Sequence, residues 1–580
     1  SPVPKYQPPI EVAITAEPEG AVIRYSDDGS APSTIYTEPL ILNQTTTIRA
    51  QSFSSDGSYR TEVVEVSYTI IPPTGTAGSG PGGVGYKDLS RSGQPELSVW
   101  LKNESLASFD DGADILEWPD VSGNENNAYN TWEDDGENAI PETSESQKQP
   151  PVYQPDVLNG KGVAVMGAAE GEKSSLIIDD ADNLDGGDGQ SIFIVMKRNE
   201  LLEDFAAIYQ KRDTRGSDPS KQAYVFEMNG GADPNTIQYV IARDIFLRSE
   251  QTFNADDYYI MNAGLNGDLD LAYFNVDGLE ERTTAYSQPI QSVAATVILG
   301  GFQAMSVAEV AYFNSTLNAA QTTIVHEYLS AKFGLALDGG NLFTNNGYTA
   351  DLIGIGKAND LAEGTDVEHL HATGGTLELQ SDGFAAAGDF VFAAHNGMDI
   401  AEDGNKVWTR MWNVQTAGEG GDVTMTFDFA KAGLTLEGAG EYILAYRASD
   451  TDEWTDLGLS ATQEGDKLSF SLTDIQDGHY AVGKGLPGTD AVENLKENAS
   501  FKVYPNPASD QITVALSNEV NGAVDISIYD LSGRVVKSEI VIKATRNYES
   551  VIDISGFDKG MYMIKVKQGD DQSVKPLVVK

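Results

Sequence analysis

Hydrophobic and polar positions alternate along most of this chain with a period of two, the signature of half-buried β-strands. In residues 1–71 such runs fall at 11–15, 21–25, 46–53 and 62–68. Within 46–53 the alternation places Ile48, Ala50 and Ser52 on one face and Thr47, Arg49, Gln51 and Phe53 on the other. Asp28-Gly29 and Asp56-Gly57 supply turn chemistry between runs. From 90 to 339 the apolar runs are short and rich in β-branched and aromatic residues, at 97–101, 189–196, 273–278, 297–301 and 308–314, as in a two-sheet core. Polar stretches at 130–150 and 200–222 read as inserted loops.

One segment breaks the period. Asn318 offers an N-cap, Ile324, Tyr328 and Ala331 share a helical face, and Gly334 stops the run, which predicts a short helix over 318–333. Residues 340–490 return to strand patterning, with Trp408, Trp412 and Trp454 as expected core anchors. Residues 498–580 begin with an extended entry strand bracketed by Pro505 and Pro507. A Ser532-Gly533 hairpin turn and a strand led by Gly560 follow. The Pro/Gly-rich stretch 72–89 predicts a flexible linker. The expected fold class is all-β, serial β-sandwich modules with a single short helix.

Composition narrows the function. Asp and Glu number 88 against 38 Lys and Arg, a formal charge of -50 in 580 residues. Phosphate binding needs clustered cations, so nucleic acid and anionic lipid are disfavoured partners. The chain contains no cysteine, which removes disulfides, thiolate metal sites and cysteine nucleophiles together. No stretch approaches the roughly 20 apolar residues of a membrane span. The start at Ser1, without Met or an apolar signal, reads as a processed or truncated N-terminus.

Four segments resemble known families or modules. Ile23-Arg-Tyr-Ser-Asp-Asp-Gly-Ser30, Pro32, Tyr36, 39–42 and 45–50 are similar to the chitobiase/β-hexosaminidase C-terminal-type Ig-like domain, which implies a spacer at 1–71. Trp118-Pro-Asp-Val-Ser-Gly-Asn124 and the runs above resemble a laminin G-type, concanavalin A-like jelly roll over 90–339. Residues 340–490 resemble an uncharacterised β-rich module that follows such sandwiches in secreted Bacteroidetes proteins. Tyr504-Pro505-Asn506-Pro507, Gly533-Arg534, Gly560, Tyr562 and the terminal Lys580 closely resemble the type A C-terminal sorting domain of type IX secretion substrates. That resemblance implies export through the periplasm to the cell surface or medium. It further implies handling by a translocon and an outer-membrane shuttle protein, and removal by a sortase.

Catalytic motifs are not found: no Glu-x-Asp-x-x-Glu pair for a glycosidase of this fold, no Gly-x-Ser-x-Gly and no His-Glu-x-x-His. His369 and His371, two apart, could share a strand face. Calcium is the one cofactor considered, with Asp180, Asp182, Asp185 and Asp188 as candidate ligands on an acidic loop that departs from the EF-hand pattern. Trp132, Tyr258 and Tyr259 are candidate sugar-stacking aromatics. The expected function is a non-enzymatic, secreted or surface adhesion protein that recognises glycan or protein through the laminin G-like sandwich. A structural subunit that self-associates into a filament or surface layer, or a transport intermediate on the secretion machinery, is the alternative. Glycoside hydrolysis comes third.

Overall fold

The computed structural model describes the chain apart from residues 1–4, 7–9, 17–20, 28–29, 38, 43–45, 55–59, 71–76, 88–93, 131–148, 168–173, 200–205, 214–218, 229–234, 256, 302–303, 345–346, 361–364, 402–406, 487–500, 518–521, 531–532, 546 and 569–570. It is a series of antiparallel sandwiches with a single α-helix of fifteen residues among the described elements. The first module is small: Val12 and Ile48 are its fully buried apolar side chains among the described residues.

The large sandwich packs two eight-stranded sheets. The front sheet runs from edge to edge as Ile245–Arg248, Ile237–Ile241, Gln222–Met228, Ala207–Arg212, Val297–Gly300, Ser175–Ile178, Ala128–Tyr129 and Glu117–Trp118. The back sheet is centred on Gly189–Arg198 and Met305–Phe313, which pair along most of their length. Trp118, Tyr209, Tyr224, Tyr239, Phe226, Phe274 and Tyr312 fill the space between them. The strand Ala207–Arg212 lies inside the region its composition marks as a loop. Its side chains are buried on both faces, which erases the alternation that would have announced it.

The helix Ala319–Phe333 forms where the sequence places it. The Asn318 side chain accepts from the Gln321 backbone, the Gln321 side chain reciprocates, and Gly334 closes the last turn at φ 65. This is a capping box followed by a left-handed glycine cap. Its burial is wider than the expected stripe of Ile324, Tyr328 and Ala331. Val325, His326, Leu329, Lys332 and Phe333 are buried too, because one side meets the back sheet and the other meets the third module. Phe193, Phe313 and Ile324 share one core with Leu352, Phe390 and Phe392, so the second and third modules are fused. Lys332 sits within this core. Its ammonium lies 2.5 Å from Glu309 Oε2 and 2.6 Å from Glu104 Oε2, while Trp100 Nε1 donates to Glu309 Oε1 at 2.7 Å.

Residues 77–86 depart from the linker expectation. They form a buried strap rather than a free connection, and Gly80, Pro81, Gly82, Gly83 and Val84 are all buried. Gly78 accepts from Thr373 N at 2.7 Å and donates to the His371 carbonyl at 3.1 Å, and His369 Nε2 meets the Gly83 carbonyl at 3.0 Å. Glycine is required here: a Cβ on Gly83, at φ 80, would lie 2.5 Å from the Ala372 Cβ. Local composition could not reveal this, because the partners lie nearly three hundred residues away.

The third module stacks a seven-stranded on a five-stranded sheet, with Trp408 and Trp412 in the core. Trp454 is not a core anchor. It is half-buried at the surface, with the Arg447 guanidinium 4.7 Å above its ring. The final module pairs a three-stranded sheet with a four-stranded one around Ile512, Val514, Ile526, Ile528, Ile564 and Val566.

Candidate functional site

The front sheet of the large sandwich presents a continuous cross-strand row on its outer face. Glu117 pairs with Tyr129, Tyr129 with Ile177, Ile177 with Ile298 and Ile298 with Gln210. Gln210 then pairs with Val225, Val225 with Val240 and Val240 with Phe246. Successive strand residues alternate faces. The neighbouring row Tyr209, Phe226, Tyr239 and Leu247 fills the interior, so this row faces away from it. Its middle is buried, whereas Phe246 at the rim is 46% exposed.

Beside it runs a polar ladder. Gln238 Nε2 donates to Glu227 Oε1 at 2.7 Å, Arg248 Nε donates to Gln238 Oε1 at 3.0 Å, and Arg212 Nη1 stands 4.0 Å from Glu227 Oε2. Four adjacent strands therefore contribute one planar polar group each. Behind the ladder lies the Gln210 side chain, fully buried, with no hydrogen-bond partner on either its nitrogen or its oxygen. A buried amide left unpaired costs roughly 1–3 kcal/mol, so its retention calls for a reason. Planar donors and acceptors next to an exposed ring are the equipment of a site for polyhydroxylated ligands.

The residues singled out from the sequence fall elsewhere. Trp132 lies outside the described residues, as does the acidic run 133–137. Tyr258 and Tyr259 do not form a platform. Tyr258 packs towards the helix side, under the Lys197 ammonium at 5.4 Å, and Tyr259 packs into the main core edge-on to Phe253 at 4.7 Å. Neither is on the front face, and their rings pack in different places.

The acidic loop is organised around a protein cation. The fully buried Lys211 ammonium lies 2.5 Å from Asp180 Oδ1 and 2.7 Å from Asp185 Oδ1. Asp182 and Asp188 are exposed and stand apart from this pair. The four carboxylates thus form no ligand shell, and no group of three or more metal-binding side chains occurs among the described residues.

His369 and His371 are also separated. Leu370 breaks the strand between them, so they belong to different sheets. Burial pushes the His369 imidazole down to about 4. His371 Nε2 instead meets Glu378 Oε1 at 2.8 Å. Burial raises the Glu378 carboxyl, but the hydrogen bonds from His371 and Lys467 outweigh it and hold the group at about 2.

In the final module the motif residues brace the first strand against the last. Asn506 Nδ2 donates to the Pro576 carbonyl and its Oδ1 accepts from Val578 N, both at 2.8 Å. Lys580 N donates to the Ala508 carbonyl at 2.8 Å. The Tyr504 hydroxyl reaches Glu549 at 2.7 Å and that of Tyr562 reaches the Asp558 carbonyl at 3.0 Å. Gly533, at φ 81, makes the turn that Arg534 closes onto Asp530 at 3.0 Å. Gly560 leads its strand as expected, whereas Pro505–Pro507 do not bracket a strand but form the bend that follows Phe501–Tyr504.

Comparison with known proteins identifies the two ends. Residues 502–580 match the secretion system C-terminal sorting domain, and residues 2–65 match the chitobiase/beta-hexosaminidase C-terminal domain. No curated protein matches the chain. Solved structures that are similar include domain 4 of AbnA, a GH43 extracellular arabinanase from Geobacillus stearothermophilus, in complex with arabinotriose. That pair shares 13% identity over 40% of this chain and 98% of the other, with a TM-score of 0.28. The binding domain of Paraclostridial Mosquitocidal Protein 1 shares 10% over 77% and 91%, at 0.29. The CBM40 of Ruminococcus gnavus IT-sialidase, bound to alpha2,3 sialyllactose, shares 10% over 23% and 80%, at 0.20. At these scores the likenesses carry no argument about function.

Proposed function

From a chain whose type IX sorting domain directs it to the cell surface or the extracellular space, we propose a secreted binding protein whose large sandwich recognises a neutral glycan on its front face. The observation that supports this most directly is the polar ladder with the unpartnered Gln210 amide behind it and an exposed aromatic beside it. The ligand enters at the rim strand Ile245–Arg248, lays a sugar ring on Phe246 and places hydroxyls on Arg248 and Gln238. A neutral ligand is favoured because a chain of net charge -50 repels anions.

The reading is one of binding without catalysis. The ladder supplies a single carboxylate, Glu227, already engaged by Gln238, whereas glycoside cleavage takes a pair of carboxyl groups flanking the bond.

A glycan array with the full chain, followed by titration of the hits, tests the proposal. Phe246→Ala and Arg248→Ala should weaken binding about tenfold or more, since each removes roughly 1–2 kcal/mol of contact. Gln210→Met should raise the melting temperature, because an apolar side chain of similar shape abolishes the unpaired amide. Binding unaffected by both rim substitutions would place the site elsewhere.

A further inference from the structure

The sorting domain carries a second surface that neither export nor the glycan reading uses. Its strand Val535–Lys543 is the outer strand of the four-stranded sheet and, among the described residues, is paired on one side only, to Gly522–Tyr529. Ile540 and Ile542 project from it at 71% and 67% exposure, among the most exposed large apolar side chains of the described chain. The strand is nine residues long and contains no proline. Long apolar edges of this kind are sites of strand pairing, and the one inward charge on this strand, the buried Lys543, stands at its end and leaves the apolar stretch around Ile540 and Ile542 open. Val551, 61% exposed, lies on the adjoining edge strand Asn547–Asp553, which is tied to the first where Ser550 Oγ meets Glu539 Oε1 at 3.1 Å.

We infer that this edge pairs with the same edge of a second copy of the chain, antiparallel about a two-fold axis through Val541. Two observations select that occupant. The first is register. Centred on Val541, the pairing sets Ile540 opposite Ile542 of the second copy twice over and Glu539 opposite Lys543. Moving the centre to Ile540 sets Lys537 against Lys543, and moving it to Glu539 sets two glutamates face to face; like charges directly opposite destabilise a ladder. A centre at Ser538 must accommodate the irregularity where Tyr529 pairs with Val535 while Ile528 pairs with Lys537.

The second observation is charge. Residues 501–580 contain ten Lys and Arg and ten Asp and Glu, so the whole net charge of -50 lies in the preceding 500 residues. Two copies repel one another everywhere except through this neutral domain. The contact is isologous and therefore closes as a dimer rather than growing into a fibre. A single strand pair buries far less than the roughly 1,000 Å² of a durable interface, so the association is weak and depends on local concentration.

Sedimentation velocity of the full chain, from micromolar to sub-millimolar concentration and at physiological and high salt, tests this. A concentration-dependent monomer–dimer equilibrium is expected, tightening as salt screens the bodies. Ile540→Lys with Ile542→Lys should abolish the dimer. Ile540→Thr with Ile542→Thr, which keeps strand preference, should weaken it at an unchanged melting temperature and so separates loss of contact from loss of fold. A chain that stays monomeric throughout, or a dimer that the Lys pair leaves intact, overturns the inference.

Discussion

Lys211, on a front-sheet strand, is bonded at 2.5 Å to Asp180 of the acidic loop, and the same ammonium reaches Asp185 at 2.7 Å. A protein side chain thus supplies the positive charge that the acidic loop would otherwise seek from a metal ion.

Stability should therefore respond to Ca²⁺ no more than to NaCl of equal ionic strength. Lys211→Met should cost roughly 3 kcal/mol, because it strands two partly buried carboxylates without a counter-charge. The same variant should acquire a Ca²⁺ response that the natural chain lacks. Melting curves of both proteins, with and without low-millimolar Ca²⁺, decide the matter; a specific Ca²⁺ response in the natural chain would contradict it.

Acid should loosen the strap. His369 titrates near 4 in the folded chain because burial disfavours its charged form, against about 6.5 when unfolded. The unfolded state binds the extra proton in that window, so stability is complete above about pH 6.5 and is lost as the pH falls towards 4. His369→Gln retains a donor for the Gly83 carbonyl and should flatten this decline. Urea denaturation at a series of pH values gives the comparison, and identical slopes for the two proteins would refute the assignment.

Asp277 should act in the opposite sense. Burial raises its carboxyl to about 6, with Asp338 adding to the effect and the Ile260 amide opposing it. The folded state holds the proton more tightly, so this group's contribution is present at low pH and is lost as the pH rises from about 4 to 6. Asp277→Asn keeps an acceptor for Ile260 N and tolerates the left-handed φ of 48. It should stabilise the chain at pH 7 by about 1–2 kcal/mol, allowing for partial solvent screening. No gain at pH 7 would show that Asp277 is ionised without penalty.

Removal of residues 498–580 should hold the chain in the periplasm with its other modules folded, since the sorting domain has a core of its own. Fractionation followed by limited proteolysis of the retained protein is the check. Truncated chain in the medium would contradict the export role.

Much of the fold was legible from local chemistry. Asn318 and Gly334 bounded the helix, the period of two marked most strands, and the Tyr504–Pro507 motif announced the final module. What escaped depends on distance or on double burial. Gln210 sits on a strand covered on both faces, so no alternation exposed it. Lys211 and Asp180 lie 31 positions apart, and nothing in the acidic loop itself reveals that its cation is internal. Tyr258 and Tyr259, adjacent and aromatic, look like a platform in sequence, yet their rings serve two different cores.

The strap at 77–86 also decides how this molecule bears load. The first module is tethered through residues laid between the helix and the third module's sheets, not at a free end of the large sandwich. A pull on that module would act along the Gly78–Ala372 pairing, loading several hydrogen bonds together in shear rather than peeling them one at a time. The two fused modules would share the tension before either sheet opened. Under such a pull the small first module, with few buried apolar side chains among its described residues, would open before the two fused modules do.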